Sequence, residues 1–90
     1  MTTTLTIELI SASVCNRCTS AKSRLVALIL KMDDNRIQYR EIDVLEQLDY
    51  AVSLGVLSTP SIAINGELVF SSMPSLKRFE EELNKRLDRL

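Results

Sequence analysis

The stretch "SASVCNRCTSAKSRL", Ser11 to Leu25, carries both cysteines of the chain, Cys15 and Cys18, where an apolar run gives way to a helical pattern. Upstream, Leu5, Ile7 and Leu9 alternate with Thr6 and Glu8 before the apolar Ile10, which reads as a strand with one well-buried face. Ser11 to Val14 read as the loop after it. Downstream, from about Asn16 to Met32, the apolar residues Ala21, Leu25, Leu28, Ile29 and Met32 recur at spacings of three and four, the pattern of an amphipathic helix. The cysteine pair therefore stands at a strand–loop–helix junction. Three readings are open for it: a redox couple, half of a metal site, or two small core residues.

Asp33 to Asn35 end the helix, and "RIQYREIDV" reads as a second strand through Ile37, Tyr39 and Ile42. Asp43 is the expected N-cap of a short helix with apolar positions Leu45, Leu48, Ala51, Val52 and Leu54, closed by Gly55. "SIAI" and "ELVF" flank Asn65-Gly66, a dipeptide whose tolerance of positive φ favours a type I′ hairpin. Ser72 to Ser75 offer capping hydroxyls with Pro74 near the first turn, and Leu76, Phe79, Leu83, Leu87 and Leu90 form the stripe of a last helix running to the end. The order is strand, helix, strand, helix, strand, strand, helix. Strands joined through a helix pair in parallel, the hairpin adds antiparallel strands, and three helices must cover the two faces.

Ninety residues suit one small domain, expected to span residues 1–90. Hydrophobic residues make up 46%, charged residues 26% and aromatic residues 4%, so aliphatic side chains must build the core of a globular protein. The formal net charge is -1 with both signs interspersed, which argues against nucleic acid or an anionic membrane as partner. The N-terminal "MTTTLTIELI" has neither the basic start nor the cleavage site of a signal peptide, and no apolar run approaches the ~20 residues of a membrane helix. A cytoplasmic protein is expected.

In that compartment ordinary thiols stay reduced, so a close pair of cysteines is more often chemical than structural. Cys15 falls at the helix start and Cys18 one turn in, so both sulfurs meet at one helix end. There the unpaired N–H groups and the positive end of the macrodipole stabilise a thiolate, the species that attacks disulfides. Cys15, nearer the end, is the expected nucleophile and Cys18 the resolving thiol. A structural zinc site needs about four ligands. Without histidine or a third cysteine, no metal site within one chain is expected. Two chains pooling their Cys15 and Cys18 thiolates around zinc or an iron–sulfur cluster stay open as an alternative, as does an adaptor whose cysteines remain reduced.

A second constellation is Ser58-Thr59-Pro60, before "SIAI". A proline at a strand start marks an edge, a turn or a cis peptide, and only ~5–6% of X-Pro bonds in folded proteins are cis. Together, "CNRC" after the first strand, "TP" before the third, the "NG" hairpin and the final helix resemble the thioredoxin fold, in its small glutaredoxin-like or thioredoxin-like form, from about Leu5 to Leu87. The resemblance implies an α/β fold of βαβαββα order, a four-stranded mixed sheet with three helices. It further implies a thiol–disulfide oxidoreductase in which Cys15 and Cys18 cycle between dithiol and disulfide. Thr59-Pro60 would be a cis peptide beside the cysteines, with the Thr59 backbone receiving substrate.

This chain departs from the family's motifs at several positions. Thioredoxins proper carry Trp-Cys-Gly-Pro-Cys and a buried aspartate six residues before the first cysteine, where this chain has Val14, Asn16-Arg17 and Leu9. Glutaredoxins grip glutathione through a Gly-Gly-x-Asp segment, where this chain reads "SSMPSLKRF", so dependence on glutathione is left open. Asn16 and Arg17 are the expected modulators of the Cys15 pKa: a guanidinium within a few ångströms favours the thiolate, whereas one in water is a solvated surface residue. The expected partners are protein disulfides or dithiols and a separate reductase, because no nucleotide-binding glycine loop is present. No cofactor is expected, and the chain is read as a monomer or weak dimer.

Overall fold

The computed structural model describes residues 4–90, so the first three residues of the N-terminal stretch lie outside it. The elements are β1 (Leu5–Ser11), α1 (Asn16–Met32), β2 (Ile37–Asp43), α2 (Leu48–Leu54), β3 (Ser61–Ile64), β4 (Glu67–Phe70) and α3 (Leu76–Leu87). Their order is the one expected. The strands form one sheet ordered β2-β1-β3-β4, with β1 parallel to β2 and antiparallel to β3, and β3 antiparallel to β4. The site-bearing strand β1 is therefore central.

On one face of the sheet Leu5, Ile7 and Leu9 meet Ala21, Leu25 and Leu28 of α1 and Phe79, Leu83 and Leu87 of α3. These spacings of three and four keep the apolar side chains on one side of each helix. Each fully buried Leu, Ile or Phe contributes about 1.5–3 kcal/mol, so this face dominates the hydrophobic stabilisation. Cys18 lies on the same buried side of α1, which fixes the rotation of the helix that carries the motif.

The other face holds Ile10, Ile42 and Ala63 beneath Val44, Tyr50, Leu54 and Val56. β1 thus buries both faces, where alternation alone pointed to one. Glu8 is enclosed at 2% exposure because α2 lies over it. Its carboxylate accepts from Arg40 Nε at 2.6 Å and from the Tyr50 hydroxyl at 2.5 Å.

α2 begins later than expected. The Asp43 carboxylate accepts from the amides of Leu45 and Glu46 at 2.8 and 3.2 Å, which closes a turn instead of capping the helix, and Gln47 takes the cap position. Of the apolar residues assigned to its core face, Ala51 is buried, while Leu45, Leu48 and Val52 are exposed. The helix ends as expected at Gly55, whose φ of 88° suits a residue without a Cβ.

The hairpin has positive φ at both central residues, 52° at Asn65 and 79° at Gly66, as a type I′ turn requires. The Asn65 side chain also accepts from the Thr6 amide at 2.8 Å, tying the turn to β1. α3 is capped by Ser75, whose hydroxyl accepts from the Arg78 amide at 3.2 Å. Pro74 precedes that cap, and the helix stops at Leu87, leaving Leu90 exposed beyond it. Among the described residues no helix is long and apolar enough to cross a membrane.

Candidate active site

β1 ends at Ser11, and the chain turns so that the Cys15 amide donates to the Ala12 carbonyl at 3.0 Å. Cys15 is the N-cap of α1, with φ −91° and ψ 108°, and its carbonyl accepts from the Cys18 amide at 3.3 Å. The first turn of α1 holds no acidic residue and Cys15 offers no side-chain cap bond, so the positive helix end is not neutralised from within the turn. One helical turn brings the two Cα atoms to 5.4 Å, and Cys15 and Cys18 are joined as a disulfide. Their exposures differ: Cys15 is half-buried and Cys18 is 6% exposed.

The second constellation arrives beside the first across 42 positions of sequence. Thr59-Pro60 is a cis peptide, against the base rate and in line with the resemblance. Arg17 donates from its guanidinium to the Thr59 carbonyl at 3.4 Å. Of the two placements weighed for Arg17, against the thiolate or free in water, the structure shows neither outright: the side chain spans from the motif to the proline loop. Asn16 opens α1 on the exposed side. The loop itself is held by the Ser58 hydroxyl on the Ser71 carbonyl at 3.0 Å and the Ser61 hydroxyl on the Ser58 carbonyl at 2.6 Å. Pro60 is buried and Thr59 half-buried. Val14 and Leu57, at 90% and 98% exposure, present apolar side chains from the segments that carry the cysteines and the proline.

A cavity of about 290 Å³ opens beside the disulfide, bordered by Cys15, Cys18, Thr19, Lys22 and Glu41 together with Leu9 and the Ser11–Ser13 segment. Lys22 Nζ pairs with Glu41 Oε1 at 2.9 Å across it. Sequence reading missed both residues. Lys22 follows Cys18 by four positions, a visible helical signal, but Glu41 is placed only by the β1–β2 register, which sets it opposite Leu9. Tyr39, two residues before Glu41, has a buried hydroxyl with no hydrogen-bond partner among the described residues. Burial, and then the charge of Glu41, pushes its phenol up to about 12.

Residues 5–84 match the sequence profile described as "Thioredoxin domain". The chain belongs to the thioredoxin family. It is 31% identical over 81 residues to a thioredoxin of Methanocaldococcus jannaschii, a match covering 90% of this chain and 94% of that one. A probable thioredoxin of Methanothermobacter thermautotrophicus is 28% identical over 82 residues, covering 91% and 95% of the two chains. Two solved thioredoxins share the fold at 20% identity. Thioredoxin-2 of a malaria parasite has a TM-score of 0.78 over 91% of this chain and 82% of its own. Thioredoxin 1 of Thermosipho africanus has 0.74 over 92% and 94%. With the thioredoxin fold and a joined Cys-x-x-Cys pair at the start of α1, the protein is a thiol–disulfide oxidoreductase.

Proposed function

We propose that this thioredoxin-family domain exchanges disulfides with protein substrates in a reducing, cytoplasmic setting, with Cys15 as the attacking thiolate and Cys18 as the resolving thiol. The observation that carries this division is the difference in access: Cys15 sits half-open at the helix cap, whereas Cys18 is covered one turn inward. In the forward direction Cys15 attacks one sulfur of the substrate disulfide, the other leaves as a thiolate, and Cys18 then attacks Cys15 and releases the second substrate thiol. Two electrons and two protons pass to the substrate. A separate reductase, or a thiol pool, returns the Cys15–Cys18 disulfide to the dithiol.

The cis Thr59-Pro60 segment, held to the motif through Arg17 and rimmed by Val14 and Leu57, is the proposed docking place for the extended backbone of the substrate. Apolar rim contacts suit an unfolded or strand-like segment around a cysteine. A partner carrying its disulfide in such a segment fits these apolar contacts better than a free small thiol.

The test uses the full chain. Cys18→Ser is expected to accumulate a covalent mixed disulfide with a disulfide-bonded protein such as insulin, and Cys15→Ser is expected to form none. In the wild type, air oxidation should remove two thiols per metal-free monomer reversibly. Trapping through Cys18 alone would reverse the roles. Metal at half stoichiometry, or two unreactive thiols, would replace the exchange reading with the carrier or the adaptor.

A further inference from the structure

The exchange proposed above leaves one step without an agent. Cys18 can attack the mixed disulfide only as a thiolate, yet at 6% exposure it has little direct contact with bulk water to take its proton. In the opposite direction it leaves Cys15 as a thiolate that must be protonated in the same place. Which group exchanges that proton is a question about the cavity at its side.

Of the residues that border this cavity, only Lys22 and Glu41 carry titratable side chains besides the cysteines. They come from two different elements and meet at 2.9 Å. Lys22 is one helical turn beyond Cys18 and shares its side of α1. Glu41 stands on the edge strand β2 in register with Leu9, so the neighbouring position on β1 brings no charge of its own. The buried, unpartnered Tyr39 hydroxyl lies close enough to Glu41 for that charge to act on it. The β1 end and its loop contribute only apolar and hydroxyl groups, Leu9 and Ser11 to Ser13. About 290 Å³ is ample for bridging water, which needs on the order of 10–15 Å³ per molecule.

We propose that Glu41 is the proton acceptor for Cys18, acting through water in this cavity, and that Lys22 is the positioning residue that holds its carboxylate there. This rests on the exchange reading above. In the resolving step the Cys18 proton passes through water to the Glu41 carboxylate, the Cys18 thiolate bonds to Cys15 sulfur, and the Cys15–substrate bond breaks to release the substrate thiolate. The proton on Glu41 then leaves to solvent, to which its side chain is 37% open. When an incoming thiolate attacks Cys15, Cys18 leaves as thiolate and takes its proton back along the same route. Lys22 lies on the path as a cation, so removing it displaces the carboxylate and also leaves the departing Cys18 thiolate without a nearby positive charge.

The test is the two-step reaction of fully reduced protein, in excess, with the coloured aromatic disulfide dithiobis(nitrobenzoate). Attack by Cys15 releases the first coloured anion and resolution by Cys18 the second. In Glu41→Gln at pH ~7 the second phase should slow about tenfold or more, with the first within about twofold of wild type. The deficit should shrink above pH ~9, where the thiol ionises unaided. Glu41→Asp should recover part of the rate, and Lys22→Met should show a smaller slowing with the same pH trend. Because Glu41 is on a partly open edge strand, the first phase doubles as a check that the variant is folded. A second phase equal to wild type, or both phases slowed alike, overturns the relay while leaving the exchange reading intact. A wild type that releases only one anion overturns both.

Discussion

The guanidinium of Arg17 lies 3.4 Å from the carbonyl oxygen of Thr59 and donates to it. That bond joins the second of the two residues between the cysteines to the peptide before the cis proline, so the two segments that carry the site are held by a side chain as well as by the sheet. It also keeps a positive charge at the helix start, where α1 has no acid in its first turn to offset it. A positive charge held there and the helix end would both favour the thiolate of Cys15 over its thiol.

Replacing Arg17 by Gln should therefore move the Cys15 titration upward, read from thiolate absorbance against pH in the reduced protein. It should also make the couple less oxidising against a glutathione buffer, because stabilising the reduced thiolate is what raises the potential. The side chain is exposed, so the shift should be modest and should shrink as salt is added. A titration curve that superimposes on wild type would assign Arg17 to docking alone.

The hairpin offers a contrast between two substitutions at one position. Asn65 holds φ at 52° and accepts from the Thr6 amide at 2.8 Å. Asn65→Gly keeps the backbone at ease and loses only the bond, a cost of about 1 kcal/mol. Asn65→Ala loses the bond and adds a left-handed conformation disfavoured by roughly 1–2 kcal/mol. Urea denaturation should rank the wild type above the glycine variant and the glycine variant above the alanine variant. Equal losses would mean that the hydrogen bond carries the whole effect.

The order of the elements, the positive φ at Gly55 and at Asn65-Gly66, and the cysteine pair were legible because each rests on local chemistry. Asn65-Gly66 demands its turn whatever surrounds it, and Cys15 and Cys18 meet through one helical turn. What was not legible depends on pairs far apart in the chain. Glu8 reads as a solvent-facing member of an alternating strand until α2 covers it, and Glu41 joins the cavity only through the β1–β2 register. The N-cap assigned to Asp43 failed for a related reason: the side chain does bond downstream amides, but it closes a turn, and the helix starts only at Leu48. The exposed Leu45, Leu48 and Val52 show that a helical spacing of apolar residues need not find a core.

Tyr39 makes stability depend on alkaline pH. Its phenol is raised from 10.0 to about 12, first by burial and then by Glu41. A folded-state value above the unfolded one gives a contribution fully present below the unfolded value of ~10 and lost as pH rises through 12. Tyr39→Phe removes both this linkage and a buried hydroxyl without a partner. The variant should be as stable as wild type or more so at pH ~7. It should also lose less stability than wild type between pH ~10 and ~12, as read from urea midpoints at each pH. A large loss of stability at neutral pH would show that the hydroxyl is satisfied by water.

Glu8 poses the sharpest energetic question in the fold, because its carboxylate is buried while its cationic partner Arg40 is largely exposed. Tyr50 supplies the second donor and anchors α2 to the sheet through it. Removing that hydroxyl with Tyr50→Phe leaves a buried charge short of a partner and should cost about 1.5–3 kcal/mol, the range for hydrogen bonds to charged groups. Removing the charge as well, in Glu8→Met with Tyr50→Phe, replaces the polar cluster by apolar atoms of similar volume while Arg40 turns to water. The double variant should therefore be more stable than the single one. Denaturant unfolding of both proteins decides it: a double variant weaker than Tyr50→Phe would mean that the Glu8–Arg40 attraction exceeds the desolvation of the carboxylate.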